Sequence, residues 1–168
     1  HLKVLHFAPE RCLRKKFAAL QNHDYLTADL NSDLASMKLD LTNIGLADNS
    51  IEVVICYHIL EHILEDRKAI REVYRVLRPG GWAILQPPVD HTRQHTYEDD
   101  SIVSPEDRLK HFGLEDHVPI YGVDYKDRLT ESGFSVKVDD LVKRIGVDKL
   151  RKYGLDPNEM IYVCEKLR

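Results

Sequence analysis

Ile51-Glu52-Val53-Val54-Ile55-Cys56 is a run of strand length built almost wholly from β-branched and apolar residues. A strand with one face in water alternates apolar and polar side chains. A near-continuous apolar run instead belongs to a parallel strand covered on both faces. This run is therefore expected at the centre of a sheet. Downstream, Ile70, Val73, Tyr74 and Leu77 follow the i, i+3, i+4, i+7 rule, which predicts a helix over Glu65 to Leu77 stopped by Pro79-Gly80-Gly81. A second apolar run, Trp82 to Gln86, comes next and is halted by Pro87-Pro88. Strand, helix and strand in that order form the repeating unit of a doubly wound α/β sheet.

The same alternation extends towards the amino terminus. Lys3 to Phe7 reads as a first strand, followed by a helix with Leu13, Phe17 and Leu20 on one face. Tyr25 to Ala28 reads as a second strand ending at Asp29, and a weak third around Ser36 to Leu39 ends at Asp40. Beyond the fifth strand, Asp90 to His117 is polar and rich in histidine. It holds one short helix, with Ser104 as cap, Pro105 at the first position and Asp107 closing a box-like pair. A helix over Asp124 to Ser132 ends at Gly133, and strands follow over Phe134 to Val138 and Met160 to Glu165.

With 168 residues, 43% of them hydrophobic, the chain can bury one core, so residues 1–168 are expected to form a single domain. Its opening on His1 and immediate entry into a strand suggest a domain lacking its native amino-terminal region. A formal net charge of −4 supplies no basic face, so neither nucleic acid nor an anionic membrane is expected as a partner. Cys12, Cys56 and Cys164 are odd in number and far apart, which predicts reduced thiols and a cytoplasmic protein. No apolar run reaches membrane-spanning length.

Open α/β sheets bind ligands beyond the carboxyl ends of their strands, where the winding direction switches. Asp29 follows Glu10 by 19 residues, close to the interval at which an acidic residue binds a ribose diol, although it could equally cap the next segment. Asp40 with Leu41 could bond an adenine amino group and pack on its ring.

Taken in order, Asp48 to Ile63 with its Ile59-Leu60-Glu61-His62 segment, the helix from Arg67 to Leu77, and Arg78-Pro79-Gly80-Gly81-Trp82 resemble the type 11 group of class I S-adenosylmethionine-dependent methyltransferases. The resemblance covers roughly residues 3 to 139 and is specific because several motifs agree in order and spacing. It implies a Rossmann-like α/β fold with a mainly parallel sheet of seven strands ordered 3-2-1-4-5-7-6, the seventh antiparallel. It also implies S-adenosylmethionine as cofactor. The turn His6, Phe7, Ala8, Pro9 and Glu10 would lie beside it, Asp29 with Leu30 would hold the ribose, and Asp40 with Leu41 would frame the adenine. Tyr57, His58 and Leu60 would line the methionine end and the transferring methyl. The first motif departs from the family's usual glycine-rich pattern, since Leu5-His6-Phe7-Ala8-Pro9-Glu10 holds no glycine and predicts a stiffer turn. In this it is similar to a variant first motif seen in such methyltransferases.

His58-Ile59-Leu60-Glu61-His62 also matches the H-x-x-E-H pattern of inverted zinc peptidases. It straddles the expected strand-to-helix junction and no further ligand is identifiable by spacing, so no metal is expected. His91, which follows the fifth strand, is the first candidate for a general base and His58 the second. The segment Asp90 to Tyr121 opens on the same carboxyl edge and is expected to wall a pocket for a polar small-molecule acceptor. Methyl transfer to that acceptor is the expected activity. The alternative is a non-catalytic binding or scaffolding domain whose altered first turn no longer admits the cofactor.

Overall fold

The computed structural model describes residues 2–168. Nine strands and six α-helices follow one another as β1 (Leu2–Phe7), α1 (Arg11–Ala18), β2 (His23–Asp29), β3 (Met37–Lys38), β4 (Ile51–Tyr57), a 3₁₀ turn (Leu60–His62), α2 (Asp66–Val76), β5 (Leu77–Gln86), β6 (Tyr97–Glu98), α3 (Pro105–Phe112), β7 (Pro119–Ile120), α4 (Tyr125–Glu131), β8 (Ser135–Asp139), α5 (Leu141–Arg144), α6 (Val147–Tyr153) and β9 (Ile161–Glu165). Seven strands form one sheet in the order β3-β2-β1-β4-β5-β9-β8, with β9 antiparallel to both neighbours. Counting only the strands of this sheet, that is the expected 3-2-1-4-5-7-6. β6 and β7 pair separately as a short antiparallel ribbon.

β4 lies between β1 and β5, as its apolar run predicts, and its residues from Ile51 to Cys56 are all buried. The two faces of the sheet differ. Leu5, Phe7, Val54, Cys56, Ala83 and Leu85 project to the face covered by α2, whose Ala69, Ile70, Val73 and Val76 complete the main core with Leu129 of α4. Each Val, Leu, Ile or Phe side chain among these contributes about 1.5–3 kcal/mol relative to exposure. Val4, Val53 and Ile55 project the other way, against Phe17 of α1, Tyr25 and Tyr57. α1 covers that face only in part, and Trp82 remains 37% exposed there.

One boundary departs from expectation. The helix stops at Val76, and Leu77 already pairs with Ile51, so Pro79-Gly80-Gly81 lies inside β5 rather than between helix and strand. The β4–β5 register shifts between Ile51 and Val53 to accommodate it. A Cβ on Gly81 would come within 2.8 Å of the Glu52 carbonyl oxygen, so glycine permits the close approach. Gly80 donates to Lys166 O at 2.7 Å, and Lys166 donates to Gly81 O at 2.9 Å, which ties the segment to the chain just after β9.

The Ser104 cap forms as expected: its Oγ accepts from the Asp107 amide at 3.1 Å and donates to the Asp107 carboxylate at 2.8 Å. Among the described residues, no helix is long and apolar enough to cross a membrane.

Candidate functional site

A cleft of about 560 Å³ opens at the carboxyl ends of β1 and β2 and beside the residues after β3 and β4. Its walls are Phe7, Ala8, Asp29, Leu30, Asn31, Leu39, Asp40, Leu41 and Thr42 on one side and Ile59, His62, Ile63, Leu64 and Glu65 on the other. Apolar side chains with two carboxylates on one rim suit a ligand that combines a flat ring with hydroxyl groups.

The floor is the turn after β1. Ala8 has φ 41°, in the left-handed region that glycine enters freely, and its amide donates to Ala28 O at 2.7 Å. The glycine-free motif thus reaches a glycine-like conformation at this residue. Pro9 follows, and Glu10 caps α1 without a side-chain bond.

Asp29 uses Oδ1 to accept from the amides of Asn31 at 2.8 Å and Ser32 at 2.7 Å. This holds the loop after β2 in place while Oδ2 stays available to a ligand. Asp40 is arranged alike, its Oδ1 accepting from the Thr42 amide at 2.7 Å and the Thr42 hydroxyl at 2.8 Å. Asp29 thus caps the segment after β2, and its side chain also lines the cleft.

The cleft gathers Phe7, Ala8, Asp29, Leu30, Asp40 and Leu41 among the residues singled out in the sequence. Pro9 lines a small adjoining cavity with Ala8, Arg11, Arg14 and Asp29. Glu10 is exposed. His6 is fully buried against the other face, its Nδ1 2.9 Å from the Tyr25 hydroxyl, and burial holds its pKa below the ordinary imidazole value. Tyr57 also points to that face, and Leu60 is buried in the core. His58 projects from the end of β4 with φ 51°, and its Nδ1 lies 3.3 Å from Glu61 Oε1. His91 is exposed and does not line the cleft.

Sequence reasoning passed over Asn31 and Thr42, whose amides fix the two carboxylates, and Ile59, Ile63 and Glu65 on the facing wall. His117 belongs to the histidine-rich segment expected on the acceptor side, but its pairing with His62 was not foreseen: the β6–β7 ribbon region carries it there, with ring centroids 4.9 Å apart at 77°. Burial, and secondarily the neighbouring His62, lowers the pKa of His117 from its usual value. The segment Asp90 to Tyr121 reaches the cleft side of the sheet through this contact and through Val118, whose amide donates to Glu61 O at 2.9 Å.

A second cavity of about 500 Å³ lies over Val4, Phe17, Val53, Ile55, Tyr57 and Trp82 on the partly covered face. Its walls are almost wholly apolar and it sits on the flat of the sheet. It offers no charged partner to a zwitterionic ligand, whereas the cleft at the strand ends does.

Residues 5–85 match the family described as Methyltransferase domain. Over 36 residues, 21% of the chain, it is 53% identical to thiol S-methyltransferase TMT1B of Mus musculus. The stretches aligned with two curated relatives span only 19% and 15% of those proteins. Among solved structures, an S-adenosylmethionine-dependent methyltransferase from Mesorhizobium loti superposes with a TM-score of 0.62 at 15% identity, over 97% of this chain and 90% of that one. Phosphoethanolamine N-methyltransferase 2 of Haemonchus contortus, solved with phosphomonomethylethanolamine and S-adenosylhomocysteine, gives 0.64 at 12% identity, over 99% of this chain and 49% of that one.

Proposed function

We propose that this chain, which matches the Methyltransferase domain family over residues 5–85, is a class I S-adenosylmethionine-dependent methyltransferase, that its cleft binds S-adenosylmethionine and that it transfers the methyl group to a polar small molecule. The observation that carries this reading is the pair Asp29 and Asp40. Each carboxylate is locked by its own loop through one oxygen, and both stand on the cleft rim beside Leu30, Leu39 and Leu41. A carboxylate fixed in advance binds vicinal hydroxyls with little further ordering, and the leucines offer apolar surface to an adenine ring. The residues present fit the cofactor on these grounds, and the cleft volume lies within the range of small-molecule sites, about 300–1,000 Å³.

When bound, the cofactor supplies an electrophilic methyl on a sulfonium. The protein's task is then to hold an acceptor in line with it and to keep water away. Ile59, His62 and Ile63 form the wall opposite the nucleoside side, and the Asp90–Tyr121 segment closes in behind them at His117. We assign the acceptor to this side. Neither His58 nor His91 lines the cleft; His58, held 3.3 Å from Glu61 and next to Ile59 of the cleft wall, is our candidate to take a proton from a hydroxyl or ammonium acceptor.

Calorimetric titration of the protein with S-adenosylmethionine and S-adenosylhomocysteine tests the reading. Saturable one-to-one binding of both is expected, weakened by about tenfold or more in Asp29→Asn. Absence of binding to the folded wild type would favour a scaffold role, in which Ala8 and Pro9 close the turn against the cofactor.

A further inference from the structure

Glu61, His62 and His117 each direct one ligand atom into a common space, the three atoms lying within 4.8 Å of one another. Glu61 is 2% exposed, and its Oε2 is buried without a hydrogen-bond partner among the described residues. A buried carboxylate oxygen left without a partner is costly, and a cation is one means of satisfying it.

The histidine geometry agrees. His62 turns Nδ1 towards Asp116 Oδ2 at 3.2 Å and leaves Nε2 facing Glu61 Oε1 at 4.0 Å. An imidazole that engages a carboxylate through one nitrogen and offers the other to a shared space has the orientation of a metal-bound histidine. His117 is brought in by backbone pairing, since the adjacent Val118 amide donates to Glu61 O at 2.9 Å.

We propose that Glu61, His62 and His117 form a binding site for a divalent transition metal of the zinc type, with its fourth position open beside the cleft that His62 lines. Two imidazoles and one carboxylate favour zinc or a neighbouring first-row metal over magnesium or calcium, which prefer oxygen alone. Metal–ligand bonds of about 2.0–2.2 Å place tetrahedral ligand atoms about 3.3–3.5 Å apart. The three atoms must therefore close in from their present separations, which rotation of the partly exposed His62 and His117 side chains allows. The third ligand escapes a spacing rule because it lies 55 residues beyond His62, on a different loop.

The open position would hold an acceptor hydroxyl or thiol. A metal–oxygen or metal–sulfur bond forms, the O–H or S–H bond breaks, and the proton leaves to water. This consequence alone rests on the methyltransferase reading; the metal binding does not.

The test titrates the chelator-stripped protein with Zn²⁺ by calorimetry and with Co²⁺ by visible absorption. The expected result is one equivalent bound, a four-coordinate Co²⁺ spectrum and a Tm raised by zinc. His117→Ala and Glu61→Gln should each weaken binding by at least about tenfold, and Asp116→Asn less. His95→Ala and His111→Ala should leave it unchanged. Far-UV circular dichroism checks folding, and His117→Ala, altering a half-buried loop residue, decides the matter if Glu61→Gln does not fold. Absence of saturable binding, or equal binding by folded His117→Ala, overturns the proposal. Parallel titration with S-adenosylhomocysteine separates the two readings: metal bound without cofactor leaves the site standing and sinks the methyltransferase reading, and cofactor bound without metal does the reverse.

Discussion

Arg128 of α4 donates from Nη1 to Asp66 Oδ2 at 2.8 Å, and both side chains are only 6% exposed. The Tyr121 hydroxyl donates to the same oxygen at 2.8 Å and lies 3.1 Å from Leu60 O, while Arg128 reaches Glu98 of the ribbon at 2.8 Å. Burial, with the Asp66 charge second, pushes the Tyr121 phenol well above its ordinary pKa, so it remains a donor. α4 and Tyr121, which also bonds the 3₁₀ turn at Leu60, are thereby tied to Asp66 in the first turn of α2. Arg128→Met would leave Asp66 buried without its cation, and breaking such a pair costs about 3–5 kcal/mol. Urea denaturation should show that loss, and the double variant Asp66→Leu with Arg128→Met should be more stable than Arg128→Met alone. A double variant as unstable as the sum of the singles would mean that the pair is not acting as a unit.

Much of this architecture was legible because burial on both faces writes itself into sequence. From Ile51 to Cys56 β4 is apolar at every position but Glu52, and the carboxylates at the end of β2 and after β3 sit where open sheets place ligands. The start of β5 was hidden because Pro79-Gly80-Gly81 reads as a stop, and only pairing of Leu77 with Ile51 and of Gly80 with Lys166 draws it into the sheet. α6 buries none of its residues, so it leaves no apolar period to detect. Tyr57 was assigned to the cofactor although strand alternation puts it with Val53 and Ile55, opposite Val54 and Cys56. The grouping of Glu61 with His117 was illegible, since it depends on a loop contact that no local pattern encodes.

Backbone strain at the first turn can be measured through Ala8, whose φ of 41° costs an alanine about 1–2 kcal/mol. Ala8→Gly removes that strain but adds about 0.4–1 kcal/mol of unfolded-state entropy. The variant should be as stable as the parent or up to about 1.6 kcal/mol more so. Ala8→Val, β-branched in the left-handed region, should be clearly less stable. Thermal denaturation of the three proteins decides the order, and a less stable Ala8→Gly would show that the turn does not carry this strain.

Acid sensitivity should trace in part to Glu72. Hydrogen bonding to Arg75, first among the causes, holds the Glu72 carboxyl below its ordinary pKa, and its Oε2 also accepts from the Ile44 amide at 2.8 Å. Arg75 in turn reaches Asp48 and the carbonyls of Ile44 and Leu46, fixing the loop that leads into β4. A depressed folded pKa contributes stability above the unfolded value of 4.5 and loses it as pH falls through the folded value. Glu72→Gln should therefore lower Tm near neutral pH, with the gap to the parent narrowing below about pH 4.5. A gap that stays constant into acid would remove Glu72 from the account.

The strongest test of the cofactor cleft lies in separating the two duties of Asp29. Its Oδ1 closes the turn to Asn31 and Ser32, and on the proposed reading Oδ2 would meet the ribose. Asp29→Asn retains a carbonyl oxygen for the turn but removes the charge, whereas Asp29→Ala removes both. A charge-assisted bond is worth about 1.5–3 kcal/mol, which is roughly tenfold or more in affinity. Asp29→Asn should thus weaken S-adenosylhomocysteine binding by about tenfold or more while its Tm stays close to the parent's, and Asp29→Ala should show both weaker binding and a lower Tm. Asp40 is more exposed, so Asp40→Asn should weaken binding less than Asp29→Asn does. Calorimetry on the folded variants reads the difference, and unchanged affinity in Asp29→Asn would place the ribose elsewhere on the sheet edge.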